Sequence, residues 1–125
     1  MKLLVVDDEI DVQFLFQQKF RKEIKAGTMQ IRYAYNGISA LELIESIDDR
    51  TDYLILSDIN MPEMNGIELL KEIKKRYPSL KVIMITAYGD EYNFNMAKDL
   101  GADDYFTKPL QFDRLKEKFI SSDKD

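Results

Sequence analysis

Five short apolar segments alternate along the chain with five segments of helical periodicity, and this alternation limits the fold more than any other feature. The apolar segments are followed by turn-forming, polar or charged residues, as is typical of buried strands. Strands of this kind that alternate with helices form a parallel sheet with helices on both faces. We therefore predict an α/β fold with a doubly wound, five-stranded parallel sheet, its strands at residues 2–6, 30–35, 53–57, 81–85 and 104–107.

The helices are predicted from apolar residues that recur every three or four positions. Gly27 is expected to end the first helix, and Pro78 is expected to end the third. We predict helices at residues 10–26, 38–47, 67–77, 91–100 and 112–120, with a frayed polar tail at 121–125. The first helix is predicted to bury one stripe, formed by Val12, Leu15, Phe16, Phe20 and Ile24.

Composition excludes several classes of function. The 125 residues suit a single domain spanning 1–125, and the 45% apolar content is enough for one core. A net charge of −5 without a basic cluster argues against nucleic-acid binding, which needs a basic face. No apolar run is long enough for a membrane span or a signal peptide, so we expect a cytoplasmic protein. The absence of cysteine and histidine excludes disulfides, thiolate sites and histidine-based chemistry.

Chemically active side chains follow four of the predicted strands. Because right-handed crossovers bring the carboxyl ends of parallel strands to one edge of the sheet, we expect these side chains to lie together there. Two carboxylates about 4 Å apart repel by roughly 4 kcal/mol at an effective dielectric near 20, so three of them need a cation. Mg²⁺ prefers oxygen ligands and commonly binds together with a phosphate. The residues concerned are Asp7 and Asp8 after the first strand, Asp58 after the third, Thr86 after the fourth and Lys108 after the fifth.

Four motifs, in this order and spacing, resemble the receiver domains of bacterial two-component response regulators, the chemotaxis regulators among them. They are Asp7-Asp8, Ser57-Asp58-Ile59-Asn60-Met61-Pro62 with Gly66, Thr86-Ala87, and Tyr105-Phe106-Thr107-Lys108-Pro109. The resemblance covers nearly the whole chain. It implies the flavodoxin-like fold with strand order 2-1-3-4-5 and five helices.

The resemblance also implies a role for each residue at the acidic edge. Asp58 would accept a phosphoryl group from a sensor histidine kinase or a histidine phosphotransfer protein. Mg²⁺, or Mn²⁺ in its place, would be bound by Asp8 directly, by Asp7 through a water molecule, by Asp58 and by the backbone carbonyl of Asn60. Lys108 would neutralise one phosphoryl oxygen, and a cis peptide bond before Pro109 would direct it into the site.

A switch is implied as well. Thr86 would donate its hydroxyl to the phosphoryl group, and Tyr105 would turn inward to fill the space behind it. This would change the surface of the predicted fourth helix, fifth strand and fifth helix, where a downstream effector or a second copy could dock. Phe14, off the apolar stripe of the first helix, is either an isolated exposed aromatic or a contact for the phosphodonor, which docks on this helix in the family. Tyr88 would shield the phosphoryl group from water. The domain would catalyse only its own phosphorylation and dephosphorylation.

Other interpretations are weighed against this one. A Mg²⁺-dependent aspartyl-phosphate hydrolase of the haloacid dehalogenase type needs a second aspartate two residues after the nucleophile, where this chain has Asn60. A flavodoxin would need a phosphate-binding loop after the first strand, where the acidic residues Asp7, Asp8 and Glu9 stand. A degenerate receiver would lack part of the acidic and basic set. Asp8 taken alone is equally well explained as a helix cap.

Overall fold

The computed structural model describes residues 1–47, 53–61, 63–87 and 89–124, with side chains as far as Lys118. Its strands form one parallel sheet in the order β2-β1-β3-β4-β5. They are β1 (Lys2–Val6), β2 (Gln30–Ala34), β3 (Tyr53–Asp58), β4 (Lys81–Thr86) and β5 (Asp104–Thr107). The helices of the described residues are α1 (Ile10–Lys19), α2 (Arg21–Lys25), α3 (Gly37–Ser46), α4 (Gly66–Arg76), α5 (Glu91–Asp99) and α6 (Phe112–Lys124).

The predicted sheet and its strand order are confirmed, but the predicted first helix is divided into two. At Phe20 the backbone leaves helical geometry (φ −108°, ψ 20°), while the Phe20 ring stays fully buried in the core. Two members of the predicted stripe, Leu15 and Ile24, are exposed instead, because only one narrow side of α1 faces the sheet and Ile24 lies beyond the bend. The predicted fourth and fifth helices therefore become α5 and α6, and α6 continues to Lys124 instead of ending at residue 120.

Two apolar cores cover the two faces of the sheet, as expected for strands that are buried on both sides. On one face, α1 and α6 pack Phe16, Phe20 and Leu115 against the sheet, and the Phe112 ring meets that of Phe16 edge-on at 5.1 Å. On the other face, α3, α4 and α5 supply Ile44, Leu69, Leu70, Ile73 and Ala97. The strand backbones are thereby held rigidly, and their carboxyl ends share one edge.

Polar side chains fix the starts of the helices on the second face. Asn36 caps α3 by accepting the Ser39 N–H at 2.8 Å, and Asn65 caps α4 in a reciprocal pair with Glu68. Asp90 accepts the Asn93 N–H and so caps α5. These caps place three helix N-termini along the edge where the parallel strands end. None of the helices in the described part of the chain has the length and hydropathy needed to cross a bilayer.

Candidate phosphoacceptor site at the carboxyl edge of the sheet

Three carboxylates meet where the neighbouring strands β1 and β3 end. Asp7 and Asp8 follow β1 directly, Asp58 is the last residue of β3, and one oxygen of each lies within 4.8 Å of the others. Asp7 and Asp58 are buried, whereas Asp8 is exposed at the rim. All three candidate ligand atoms are carboxylate oxygens, the type that suits a hard divalent cation such as Mg²⁺.

Backbone amides hold the two buried carboxylates in place. Asp7 accepts the Glu9 N–H at 2.9 Å through Oδ1, and Asp58 accepts the Ile59 N–H at 2.8 Å through its own Oδ1. These bonds fix the side chains before any ligand binds. They also correct the cap interpretation of Asp8, because the N-cap residue of α1 is Glu9, no side chain caps this helix, and it is Asp7 that accepts the Glu9 N–H.

Lys108 supplies the cation beside the acidic cluster. Its Nζ lies 3.0 Å from Asp58 Oδ2, and its backbone N–H donates to the Thr86 carbonyl at 2.9 Å, which continues the pairing of β5 with β4. The peptide bond to Pro109 is cis, as the resemblance implied. Burial lowers the pKa of Lys108, but the hydrogen bond and negative charge of Asp58, with Asp7 and Glu9 beyond it, raise the pKa above its ordinary value. The ammonium group therefore stays charged.

Gly66 brings the start of α4 against the backbone of Asp58 and Ile59. Its N–H donates to the Ile59 carbonyl at 2.8 Å. An ideal Cβ at this position would lie 2.1 Å from the Asp58 carbonyl oxygen and 2.7 Å from the Ile59 Cα. Only glycine fits such an approach, so this residue sets how closely the loop after β3 folds back on the site.

Thr86 is buried at the end of β4 and lines a cavity of about 300 Å³ beside the site. Tyr105 lies outside that cavity. Its ring packs against Phe94 with the centroids 4.7 Å apart, and its hydroxyl faces the Ala102 carbonyl at 3.4 Å. The structure therefore places Thr86 at the edge of the site. Tyr105 lies outside the cavity that Thr86 lines and packs against Phe94, which lines it.

Burial perturbs the carboxyl group of Asp7. Desolvation raises its pKa from 3.8 to about 6, the Glu9 amide opposes this, and the charge of Asp58 adds to the rise. In the absence of metal, the Asp7 carboxyl group is therefore expected to ionise near pH 6. A bound divalent cation would favour the ionised form and so compete with that proton.

We expect the contribution of Asp7 to the free energy of unfolding of the metal-free protein to fall as the pH rises from about 4 to about 6. The pKa of Asp7 in the folded state lies above the unfolded value of 3.8, so its stabilising contribution is complete below about pH 4 and is lost above about pH 6. The shift of roughly two units corresponds to about 3 kcal/mol. Urea unfolding with a chelator, from about pH 4 to pH 8, measures the loss. Asp7→Asn should remove this part of the pH dependence, whereas Glu42→Gln, a change at an exposed carboxylate, should keep it. Identical pH profiles for wild type and Asp7→Asn would contradict the raised pKa of Asp7.

The predicted residues thus separate into groups. Asp7, Asp8, Asp58 and Lys108 are brought together, and Thr86 lies at the neighbouring strand end. Asn60 is exposed two residues beyond Asp58, and its carbonyl ligand remains a prediction. Tyr88 and Pro62 lie outside the described residues. Sequence reasoning did not place Phe94, since helical spacing does not say which ring of α5 faces β5.

Known proteins match both this fold and this order of residues. The family model for the response regulator receiver domain matches residues 3–120. The chain belongs to the response regulator receiver domain family. A receiver domain is a signalling domain of two-component systems and not a conventional enzyme. The acidic cluster and Lys108 lie within the matched residues.

Relatives of this receiver domain differ in length. Sporulation initiation phosphotransferase F of Bacillus subtilis is 36% identical over 116 residues, which are 93% of this chain and 88% of that protein. The transcriptional regulatory protein ZraR of Klebsiella oxytoca is 42% identical over 115 residues, but this chain spans only 24% of it. A receiver domain protein from Clostridium thermocellum superposes with a TM-score of 0.82 at 27% identity, covering 96% of this chain and 91% of that one.

Proposed function

We propose that this receiver domain is a phosphorylation switch that accepts a phosphoryl group on Asp58 from a phosphohistidine of a sensor histidine kinase or a histidine phosphotransfer protein. The observation that carries the proposal is the position of Asp58. Its carboxylate is buried at a strand end, 3.0 Å from the Lys108 ammonium group and within 4.8 Å of the Asp7 and Asp8 oxygens. A nucleophile, a fixed cation and a metal-binding set therefore share one edge.

The acidic cluster fits Mg²⁺, with Mn²⁺ as a substitute. The exposed Asp8 would bind the ion directly, Asp7 would bind through a water molecule, and Asp58 and the Asn60 carbonyl would complete the protein's share of the ligands. When bound, the ion supplies charge neutralisation for the carboxylates and for the phosphoryl oxygens. Asp58 is held for this role by the Ile59 amide at Oδ1 and by the Lys108 ammonium group at Oδ2.

Phosphoryl transfer asks the protein mainly for alignment and for neutralisation of charge. An Asp58 oxygen forms the new bond to phosphorus as the phosphorus–nitrogen bond of the donor breaks, and the electron pair of that bond returns to the histidine nitrogen. Lys108 pairs with Asp58 before transfer and neutralises a phosphoryl oxygen afterwards. Thr86 would donate its hydroxyl to another phosphoryl oxygen from the end of β4.

The donor is proposed to dock on α1, next to the acidic cluster. This helix exposes Ile10, Phe14 and Leu15, at 57%, 60% and 40% of their surface, directly after Asp7 and Asp8. Ile10 and Phe14 are one helical turn apart and share a face. An apolar face next to a phosphoacceptor suits the surface of a helical donor protein.

The signal is proposed to leave through the surface of α5, β5 and α6. A phosphoryl group brings a charge of about −1.5 to −2 and three acceptor oxygens to the end of β3. Thr86 would turn toward it, and Tyr105 would move into the space behind Thr86. A groove of about 550 Å³ lies on this surface, lined by residues of all three elements, among them Phe94, Tyr105 and Arg114. A downstream effector or a second copy would read the change there.

Replacing Asp8 with alanine is expected to weaken Mg²⁺ binding at least about tenfold, because a ligand and one negative charge are removed. The metal-free protein should be as stable as wild type or more stable, since repulsion among the carboxylates is relieved. Titration calorimetry and urea unfolding in chelator measure the two effects. Asp11→Ala removes an exposed carboxylate from the first turn of α1 and serves as the control. A clear loss of metal-free stability in Asp8→Ala alone would assign Asp8 a structural role instead.

Stoichiometry distinguishes this function from the aspartyl-phosphate hydrolase alternative. A receiver domain should take up at most one phosphoryl group per chain from a small donor such as acetyl phosphate, and it should not turn over simple phosphomonoesters. Asn60 stands where the hydrolase would need a general acid, and an amide cannot supply a proton in that role. Sustained Mg²⁺-dependent release of phosphate from a phosphomonoester, lost in Asp58→Asn, would favour the hydrolase.

A further inference from the structure

Phe94 on α5 stands between two cavities. Its ring lines the cavity of about 300 Å³ that contains Thr86 and Thr107, and it also lines the groove of about 550 Å³ that contains Tyr105. Tyr105 belongs to the groove and not to the Thr86 cavity. The two rings are in contact, with centroids 4.7 Å apart and planes tilted by 47°.

The Thr86 cavity is large enough to take an aromatic ring, since a cavity of about 150 Å³ already holds benzene. Strand register places Tyr105 within reach of it. Thr86 pairs with Thr107 and Met84 pairs with Tyr105, so Thr86 and Tyr105 lie two residues apart on the same face of the sheet. Phe94 packs on Tyr105 and lines the cavity from α5 above that face. The ring of Phe94 therefore lies at the point where Tyr105 would enter.

We propose that Phe94 is the gate that holds Tyr105 outside the Thr86 cavity, so that Tyr105 can enter only when the Phe94 ring gives up its contact and turns outward. The ring has a path to solvent, because 37% of its surface is already exposed. Movement of Tyr105 inward would then bury the Tyr105 ring and expose the Phe94 ring on the α5 surface. Phosphorylation of Asp58, which would start this movement, rests on the proposed function. The gate itself is a property of the unphosphorylated protein.

Removing the gate should change the position of Tyr105 without any phosphoryl group. Contact between two aromatic rings favours the outward position by about threefold to tenfold in population. Phe94→Ala removes this contact and opens the entrance, so the inward population of Tyr105 should rise by about that factor. Phe94→Leu keeps part of the bulk but loses the ring, and its effect should be intermediate.

Nuclear magnetic resonance of the metal-free, unphosphorylated protein tests the gate. The readouts are the ring shift of Tyr105, assigned with Tyr105→Phe, and the Overhauser contact between that ring and the Thr86 methyl group. Tyr92→Ala is the matched control, since Tyr92 lies on the same helix, is 74% exposed and lines neither cavity. We expect the ring shift to move and the methyl contact to appear in Phe94→Ala, and both to stay unchanged in Tyr92→Ala.

If Phe94→Ala and Phe94→Leu both fold and both keep the wild-type Tyr105 shift without a Thr86 contact, the gate is wrong. A second arm adds beryllofluoride and Mg²⁺ to the wild-type protein, as a mimic of the phosphoryl group. A wild-type response combined with unchanged Phe94 variants would support the proposed switch and overturn the gate. The opposite pattern, with inward Tyr105 in Phe94→Ala but no wild-type response, would support the gate and count against the phosphorylation-driven switch.

Discussion

Replacing Gly66 with alanine is expected to cost about 3 kcal/mol or more of unfolding free energy and to displace Asp58, the proposed phosphoacceptor. The added Cβ would lie 2.1 Å from the Asp58 carbonyl oxygen and 2.7 Å from the Ile59 Cα. Both neighbours are backbone atoms, so no side-chain rotation relieves the clash. Either the end of β3 moves, or α4 moves away and breaks the hydrogen bond from the Gly66 N–H to the Ile59 carbonyl. Both changes disturb the backbone that aligns Asp58 with Lys108.

Urea unfolding and the rate of labelling by a small phosphodonor measure the two parts of this prediction. Gly27→Ala is the control, because none of the surrounding atoms lies within 4 Å of a Cβ added at Gly27. Only the positive φ of 78° disfavours alanine there. That conformation alone costs roughly 1–2 kcal/mol. Gly66→Ala should therefore be the less stable of the two, and it alone should label slowly. Equal stability and equal labelling in the two variants would contradict the close approach of α4.

Replacing Lys108 with methionine is expected to slow phosphorylation of Asp58 by about 100-fold, the effect typical of losing one donor that stabilises charge at the reacting centre. Methionine keeps most of the apolar stem but removes the ammonium group that lies 3.0 Å from Asp58 Oδ2. Lys108→Arg retains the charge with a different shape, so its rate should be intermediate. Stability should fall as well, because the Asp58 side chain of this pair is only 4% exposed and loss of the ammonium group leaves its buried charge unpaired.

Single-turnover labelling with acetyl phosphate at saturating Mg²⁺ measures these rates. Lys118→Met is the control, since it breaks an ion pair of 2.7 Å with Asp104, the first residue of β5, without touching the acidic cluster. The control should label at the wild-type rate. If Lys108→Met also labels at that rate, Lys108 has no part in the transfer and serves only as the structural partner of Asp58.

The sheet was predictable from sequence because β1, β3 and β4 are apolar runs with sharp polar ends, and β2 and β5 lie between clear turn signals. Strand bounds agree to within one residue, and the parallel order follows from alternation with helices and from the family resemblance. The first helix was not predicted correctly because periodicity shows which side of a helix is apolar but not where its axis bends. The bend at Phe20 depends on how that ring packs with Phe16 and Phe112, which is a tertiary contact.

The candidate site was predictable to the extent that it depends on strand ends. Asp7, Asp8, Asp58 and Lys108 meet because parallel strands bring their carboxyl ends to one edge. Their hydrogen bonds and pKa values were not predictable, since these depend on burial and on the exact course of the loops. The position of Phe94 was missed for the same reason, because packing between α5 and β5 has no signature in either segment alone.

The central claim is that Asp58 accepts the phosphoryl group, and mapping the label tests it most directly. The protein is incubated with acetyl phosphate and Mg²⁺, the acyl phosphate is reduced with borohydride to homoserine, and peptide mass spectrometry locates the modified residue. We expect one modified position, Asp58, with no modification in Asp58→Asn or after chelation of the metal. Modification at another residue, or undiminished labelling of Asp58→Asn, would contradict the assignment.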